Sequence, residues 1–122
     1  VPTDPTMLDI ERLDELRDLD PGNTIYLDRA IANFESNSVT LFAELEAVVA
    51  TGVTDDVVRV AHRLAGAALN LGVADAGALL RDVEARAGSG DLDVASALLP
   101  QVSAALERGR VALAAYQAAY QA

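Results

Sequence analysis

The chain has no cysteine, no lysine and no tryptophan, and only one histidine and one methionine among 122 residues. Without cysteine there can be no disulfide and no thiolate metal site, a usage that fits a reducing compartment, so the expected location is cytoplasmic. One histidine and no thiolate leave no ordinary zinc site, and no metal or cofactor is expected on the chain itself. Without lysine no phosphate loop of the GxxxxGK[ST] kind can exist. Aromatic residues are scarce at 4%, while 52% of residues are hydrophobic and alanine is abundant. That mixture favours closely packed helices over strands, which are enriched in aromatic and β-branched residues. No apolar run approaches the roughly 20 residues that a spanning helix needs. Positive charge is the scarcer sign, nine arginines facing nineteen carboxylates for a formal net charge of −10. Such a surface repels nucleic-acid phosphate and anionic membrane, so neither is an expected partner.

The length suits a single domain over residues 1–122. Val1-Pro2-Thr3-Asp4-Pro5 resembles neither a signal peptide nor a natural start, which suggests a domain excised from something longer. Residues 1–6 read as a flexible lead-in. A short amphipathic helix is expected over about Met7–Leu19, with Leu8, Leu13 and Leu16 as its stripe, closed by the turn Asp20-Pro21-Gly22-Asn23. The next helix is expected over about Thr24–Ala50. Its residues Leu27, Ile31, Phe34, Ser38, Leu41, Leu45 and Val48 recur at steps of four and three, and Gly52 ends it. Thr54 is a candidate N-cap for a third helix over about Asp55–Leu71, with Asp55 and Asp56 on its positive end. Gly72 marks the end of that helix. A fourth follows over about Asp75–Ala87 with Ala76, Leu79, Leu80 and Val83 inward, then a turn through Gly88-Ser89-Gly90 to Asp91 as N-cap. The last helical segment is expected over about Leu92–Tyr120, with Pro100 kinking it or separating a short first piece. Short connections between long amphipathic helices make neighbours antiparallel. The expected fold is therefore all-α, an antiparallel up-down-up-down four-helix bundle with a short additional N-terminal helix.

His62 is the candidate for chemistry, since histidine is the one side-chain type whose ordinary protonation changes near neutral pH. At about 100° per residue, Val57, Val60, Leu64, Ala68 and Leu71 all lie within roughly 40° of a direction about 200° from His62. They form the core stripe, and His62 points outward, against the common case of a lone histidine satisfied inside a core. On its face, Arg59 and Gly66 lie to one side, and Val58, Ala65 and Leu69 to the other. Helical side chains lean toward the N-terminus, so residue 66 would cover the imidazole, and that residue is a glycine costing about 1 kcal/mol relative to alanine. Arg59 and Arg63 place guanidinium groups near the ring, although solvated arginines on an exposed face are an ordinary alternative. Val58 and Leu69 form an apolar border suited to partner docking.

An accessible imidazole is a competent nucleophile toward an activated phosphoryl group, nearby cations can hold the negative charge of the product, and a missing side chain leaves room for it. A Ser-His-Asp triad has no singled-out partner: Ser36, Ser38, Ser89, Ser96 and Ser103 all have helical or turn explanations. A chain of this size without a nucleotide site does not generate the phosphoryl donor itself.

His62-Arg63-Leu64-Ala65-Gly66, followed by Asn70-Leu71-Gly72-Val73, resembles the signature of histidine-containing phosphotransfer (HPt) domains, usually His-x-Leu-Lys-Gly. The resemblance covers about Leu8–Tyr120, including Leu79-Leu80-Arg81-Asp82-Val83-Glu84 of the following helix. It implies that His62 accepts a phosphoryl group from a receiver-domain aspartate and passes it to another, within a two-component phosphorelay. It also implies that Gly66 makes room for the group, and that the receiver supplies Mg²⁺ and most of the catalysis, leaving this chain a phosphocarrier, not an enzyme. The expected partners are response-regulator receiver domains, with a sensor histidine kinase as a further candidate and a monomer as the expected state. The family lysine is Ala65 here, and Arg59 or Arg63 is the expected substitute cation. Glu84 would stand where some relatives carry a glutamine that orients the ring, a solvated helix glutamate being the alternative. Three other readings stay open: a receiver-docking module that carries no phosphate, the phosphoacceptor domain of a chemotaxis-type kinase, and a purely structural helical bundle.

Overall fold

The computed structural model describes residues 8–19 and 22–121. The lead-in expected over residues 1–6, Met7, and Asp20 and Pro21 of the expected turn lie outside the described residues. The helices run in the order α1 (Ile10–Arg17), α2 (Ile25–Thr51), α3 (Thr54–Asn70), α4 (Ala74–Gly88), α5 (Leu92–Ala97) and α6 (Leu99–Gln121). Their apolar stripes meet in one core, in which Leu27, Ile31, Phe34 and Leu45 of α2 face Val57, Val60 and Leu64 of α3, Leu80 and Val83 of α4, and Val102, Leu106 and Leu113 of α6. Burial of these side chains is the main force holding the bundle, at about 1.5–3 kcal/mol for each large residue. Among the described residues α2 packs on α3, α3 on α4, α4 on α6 and α6 back on α2. No helix there is long and apolar enough to cross a membrane.

Pro100 separates the last segment in two. It is the second residue of α6, where a missing N–H removes no intrahelical bond. Leu98 closes the short α5 before it. Two expected helix starts are corrected. Thr54 is the first residue of α3, not its cap; Val53 holds that place without a side-chain bond. Leu8 precedes α1, whose cap is Asp9, its carboxylate accepting from the Arg12 N–H. Leu8 is still buried, because it forms an isolated antiparallel bridge with Val73 instead of a helical turn.

That bridge begins a strap across the corner between α3 and α4. The Asp9 N–H donates to the Gly72 carbonyl at 2.6 Å. Arg12 donates from Nε to the Asn70 carbonyl and from Nη2 to the Asn70 side-chain oxygen, at 3.2 and 2.8 Å. A cation on the last carbonyls of a helix also suits its negative end. Gly72 stands at φ +69°, and a Cβ there would lie 2.7 Å from the Asp9 carbonyl oxygen. Gly72→Ala should therefore lower the unfolding free energy by at least about 1–2 kcal/mol, read from the urea midpoint. An unchanged midpoint would mean that the strap yields freely.

The C-terminal part of α6 is clasped by hydroxyl–carboxylate bonds, Tyr116 donating to Asp14 of α1 and Tyr120 to Asp28 of α2. Gln117 also donates to Asp28, at 2.9 Å. Burial, and then the hydrogen bond to Asp14, push the Tyr116 hydroxyl up to about 12. Burial, and then the bond to Asp28, raise Tyr120 in the same direction. A raised pKa stabilises the fold fully below the ordinary tyrosine value near 10, and that contribution is lost as pH climbs through the folded value. Helix content should thus hold to about pH 10 and fall together with tyrosinate formation near pH 12. The readout uses Tyr26→Phe, which leaves Tyr116 and Tyr120 as the tyrosines observed; their tyrosinate absorbance rising near pH 10 with the helices intact would contradict the clasp.

Candidate functional site

The apolar stripe of α3 turns its opposite face outward. Val57, Val60, Leu64 and Ala68 are fully buried, while the His62 side chain is 61% exposed. The link between α3 and α4 is only residues 71–73, and α4 comes in close because Gly77 has no side chain; a Cβ there would fall inside the Leu69 side chain. This approach brings Glu84, on α4 and 20% exposed, against the imidazole. His62 Nδ1 lies 2.7 Å from Oε1 and 3.2 Å from Oε2 of Glu84. A carboxylate only accepts, so in the neutral ring this contact favours the proton on Nδ1 and a lone pair on Nε2.

Gly66, one turn beyond His62, is exposed, and a Cβ built there meets nothing within 4 Å. Neither positive φ nor helix packing calls for glycine at this position. The flank formed by Val58, Ala65 and Leu69 differs from expectation. Ala65 is fully buried and takes no part in the exposed surroundings of the ring, and Val58 is half-buried against the core. Their neighbour across the interface is α4, which meets this flank where Gly88 lies beside Val58 and Gly77 beside Leu69. Leu69 keeps 38% of its surface exposed. A lysine in place of Ala65 would thus start from a closed position.

The arginines expected at the ring turn elsewhere. Arg59 donates to Asp56 at 3.3 Å, and Arg63 lies 3.8 Å from Glu44 of α2. The cation that the structure brings to His62 is Arg81 of α4, with Nη1 3.2 Å from Nδ1 and 3.6 Å from Oε2 of Glu84. Its signal in the sequence was its spacing: Arg81 and Glu84 are three apart, hence on one face of one helix. Three of the four groups at the site, His62, Gly66 and Arg81, are open to solvent.

A separate cleft of about 670 Å³ opens between α2 and α3, lined by Tyr26, Arg29, Asn33, Asn37, Ala67 and Asn70 among others. His62 does not line it. Among the described residues no group of three or more His, Asp or Glu side chains is gathered to hold a metal ion.

The arrangement supplies an exposed nitrogen nucleophile, a carboxylate behind the ring, a cation within reach and space where the next turn has no side chain. The model of one known family, the Hpt domain, matches residues 29–112, a span that includes all four groups. No curated protein and no solved structure matches the chain.

Proposed function

From the premise that the chain belongs to the Hpt domain family, the phosphocarrier modules of histidine phosphotransfer in phosphorelays, we propose that His62 is its phosphoacceptor and that receiver domains are its partners. One observation carries the reading: Glu84 contacts Nδ1 of a His62 side chain that is 61% exposed, and a Cβ at Gly66, one turn on, would meet nothing within 4 Å. The Nε2 lone pair attacks the phosphorus of a receiver aspartyl phosphate. The N–P bond forms as the bond from phosphorus to the acyl oxygen breaks, and its electron pair leaves on the aspartate as carboxylate. Nδ1 keeps its proton throughout, and the positive charge that the ring gains faces the Glu84 carboxylate. The reverse reaction delivers the group to a second receiver. Mg²⁺ belongs to the receiver in this scheme, and the carrier acts as a monomer. The short connections after α2 and α3 support an antiparallel run of neighbouring helices.

The test is incubation with a phosphorylated receiver domain. The wild-type chain should acquire an acid-labile, alkali-stable label, and His62→Gln should acquire none. Label retained in His62→Gln would overturn the assignment. A receiver-docking module without phosphotransfer is the competing reading, favoured by the missing motif lysine at Ala65; it requires a stable complex with no label on either chain variant.

A further inference from the structure

The His62 Nδ1 atom has two neighbours that make opposite demands on it. Glu84 can only accept a hydrogen bond and requires Nδ1–H; a guanidinium can only donate and requires a lone pair on Nδ1. With Oε1 of Glu84 at 2.7 Å and Nη1 of Arg81 at 3.2 Å, both groups are within hydrogen-bonding distance of one ring nitrogen that can satisfy one of them at a time. The carboxylate contact is the shorter, which favours the Nδ1–H form and leaves Arg81 held at the ring only by its 3.6 Å approach to Oε2 of Glu84. The Arg81 side chain is 49% exposed and its i,i+3 pairing with Glu84 is of the weak surface kind.

We propose that Arg81 is a two-position residue. In the resting chain it competes with Glu84 for Nδ1, and each time it wins the proton moves to Nε2, where it caps the nucleophile. In the phosphorylated chain Nδ1 is protonated and can accept nothing. Arg81 then turns to the phosphoryl oxygens on Nε2, two ring bonds away, and serves as the cation that Ala65 does not provide. The same arginine restrains an empty carrier and protects a loaded one. The second position rests on the phosphoacceptor role of His62; the first does not.

The experiment compares wild type, Arg81→Ala and Arg81→Lys by two readouts. The ring nitrogen shifts of ¹⁵N-labelled His62 report the tautomer without any phosphate. Arg81→Ala should move them toward the Nδ1–H form, and unmoved shifts would overturn the resting position. The half-life of the phosphohistidine should fall roughly two- to five-fold in Arg81→Ala, the range an exposed ion pair supports, and be restored in Arg81→Lys. An unchanged half-life would overturn the second position. If the wild type takes no label at all, it is the phosphoacceptor reading that fails, and the nitrogen shifts still decide whether Arg81 competes for the ring.

Discussion

Gly66→Leu should give a chain that is more stable than the wild type and close to inert in phosphoryl uptake. In the middle of a helix glycine costs about 0.8–1 kcal/mol relative to a strong helix former such as leucine. Here nothing opposes the gain, because an added Cβ meets no atom within 4 Å and the backbone has ordinary helical φ. The urea midpoint should therefore rise. The new side chain leans back over the preceding turn, toward His62, and occupies the space in which, in the proposed transfer, the phosphoryl group and the receiver's aspartate would meet the Nε2 lone pair. Misplacement of reacting atoms by about 1 Å is worth about 10²-fold in rate, so a drop of at least that size in labelling rate is expected. Gly66→Ala should show most of the stability gain with a smaller kinetic loss. Normal uptake by Gly66→Leu would remove the steric role, and a lower midpoint would point to packing that the open surface does not show.

Glu84→Ala is the second large effect, and it is kinetic. Removing the carboxylate leaves Arg81 as the neighbour of Nδ1, and a donor there favours the Nε2–H ring, which has no outward lone pair. Labelling should slow by about ten- to hundred-fold, the usual cost of losing the group that sets a working histidine's tautomer. Glu84→Gln retains an acceptor oxygen and should lose less. Stability should change little, within about 0.5 kcal/mol, because the contacts of Glu84 are with exposed partners. The double substitution with Arg81→Ala should recover part of the lost rate, since the competing donor leaves with the carboxylate; strict additivity of the two single effects would mean that the residues act independently.

The core of this fold was legible because it depends on spacing. The steps of three and four along α2 and α3 locate the buried side chains, and the same wheel turns His62 away from them. Distances between helices are not in that pattern. Ala65 and Val58 lie on the flank that α4 covers, and how tightly it covers them is decided by the bare backbone of Gly77 against Leu69. The charge at the site escaped the sequence for a related reason. Arg59 and Arg63 are neighbours of His62 along α3, but each lies beside a carboxylate, Asp56 and Glu44, that draws it off. Arg81 is nineteen residues away in sequence and reaches the ring only once α3 and α4 are folded together. Glu84 was foreseen only through the family resemblance. The strap of Asp9 and Arg12 onto the α3–α4 corner was not foreseen, because a single bridge and two arginine bonds leave no periodic trace.

On the proposed phosphoacceptor role, the exposed face of His62 also has a thermodynamic consequence. Glu84 contacts the ring at Nδ1 and Gly66 leaves open space one turn on, so in the proposed relay a partner bringing phosphate and a partner removing it would encounter the same surface. A site can bias an equilibrium only as far as it binds the two states differently. Open space beside Gly66, where a Cβ would meet nothing within 4 Å, favours neither a donor nor an acceptor. In the proposed relay the direction of net flux would then lie with the partners, in their abundance and in the free energy of their own acyl phosphates, and the carrier would equilibrate between them like a capacitor shared by two circuits.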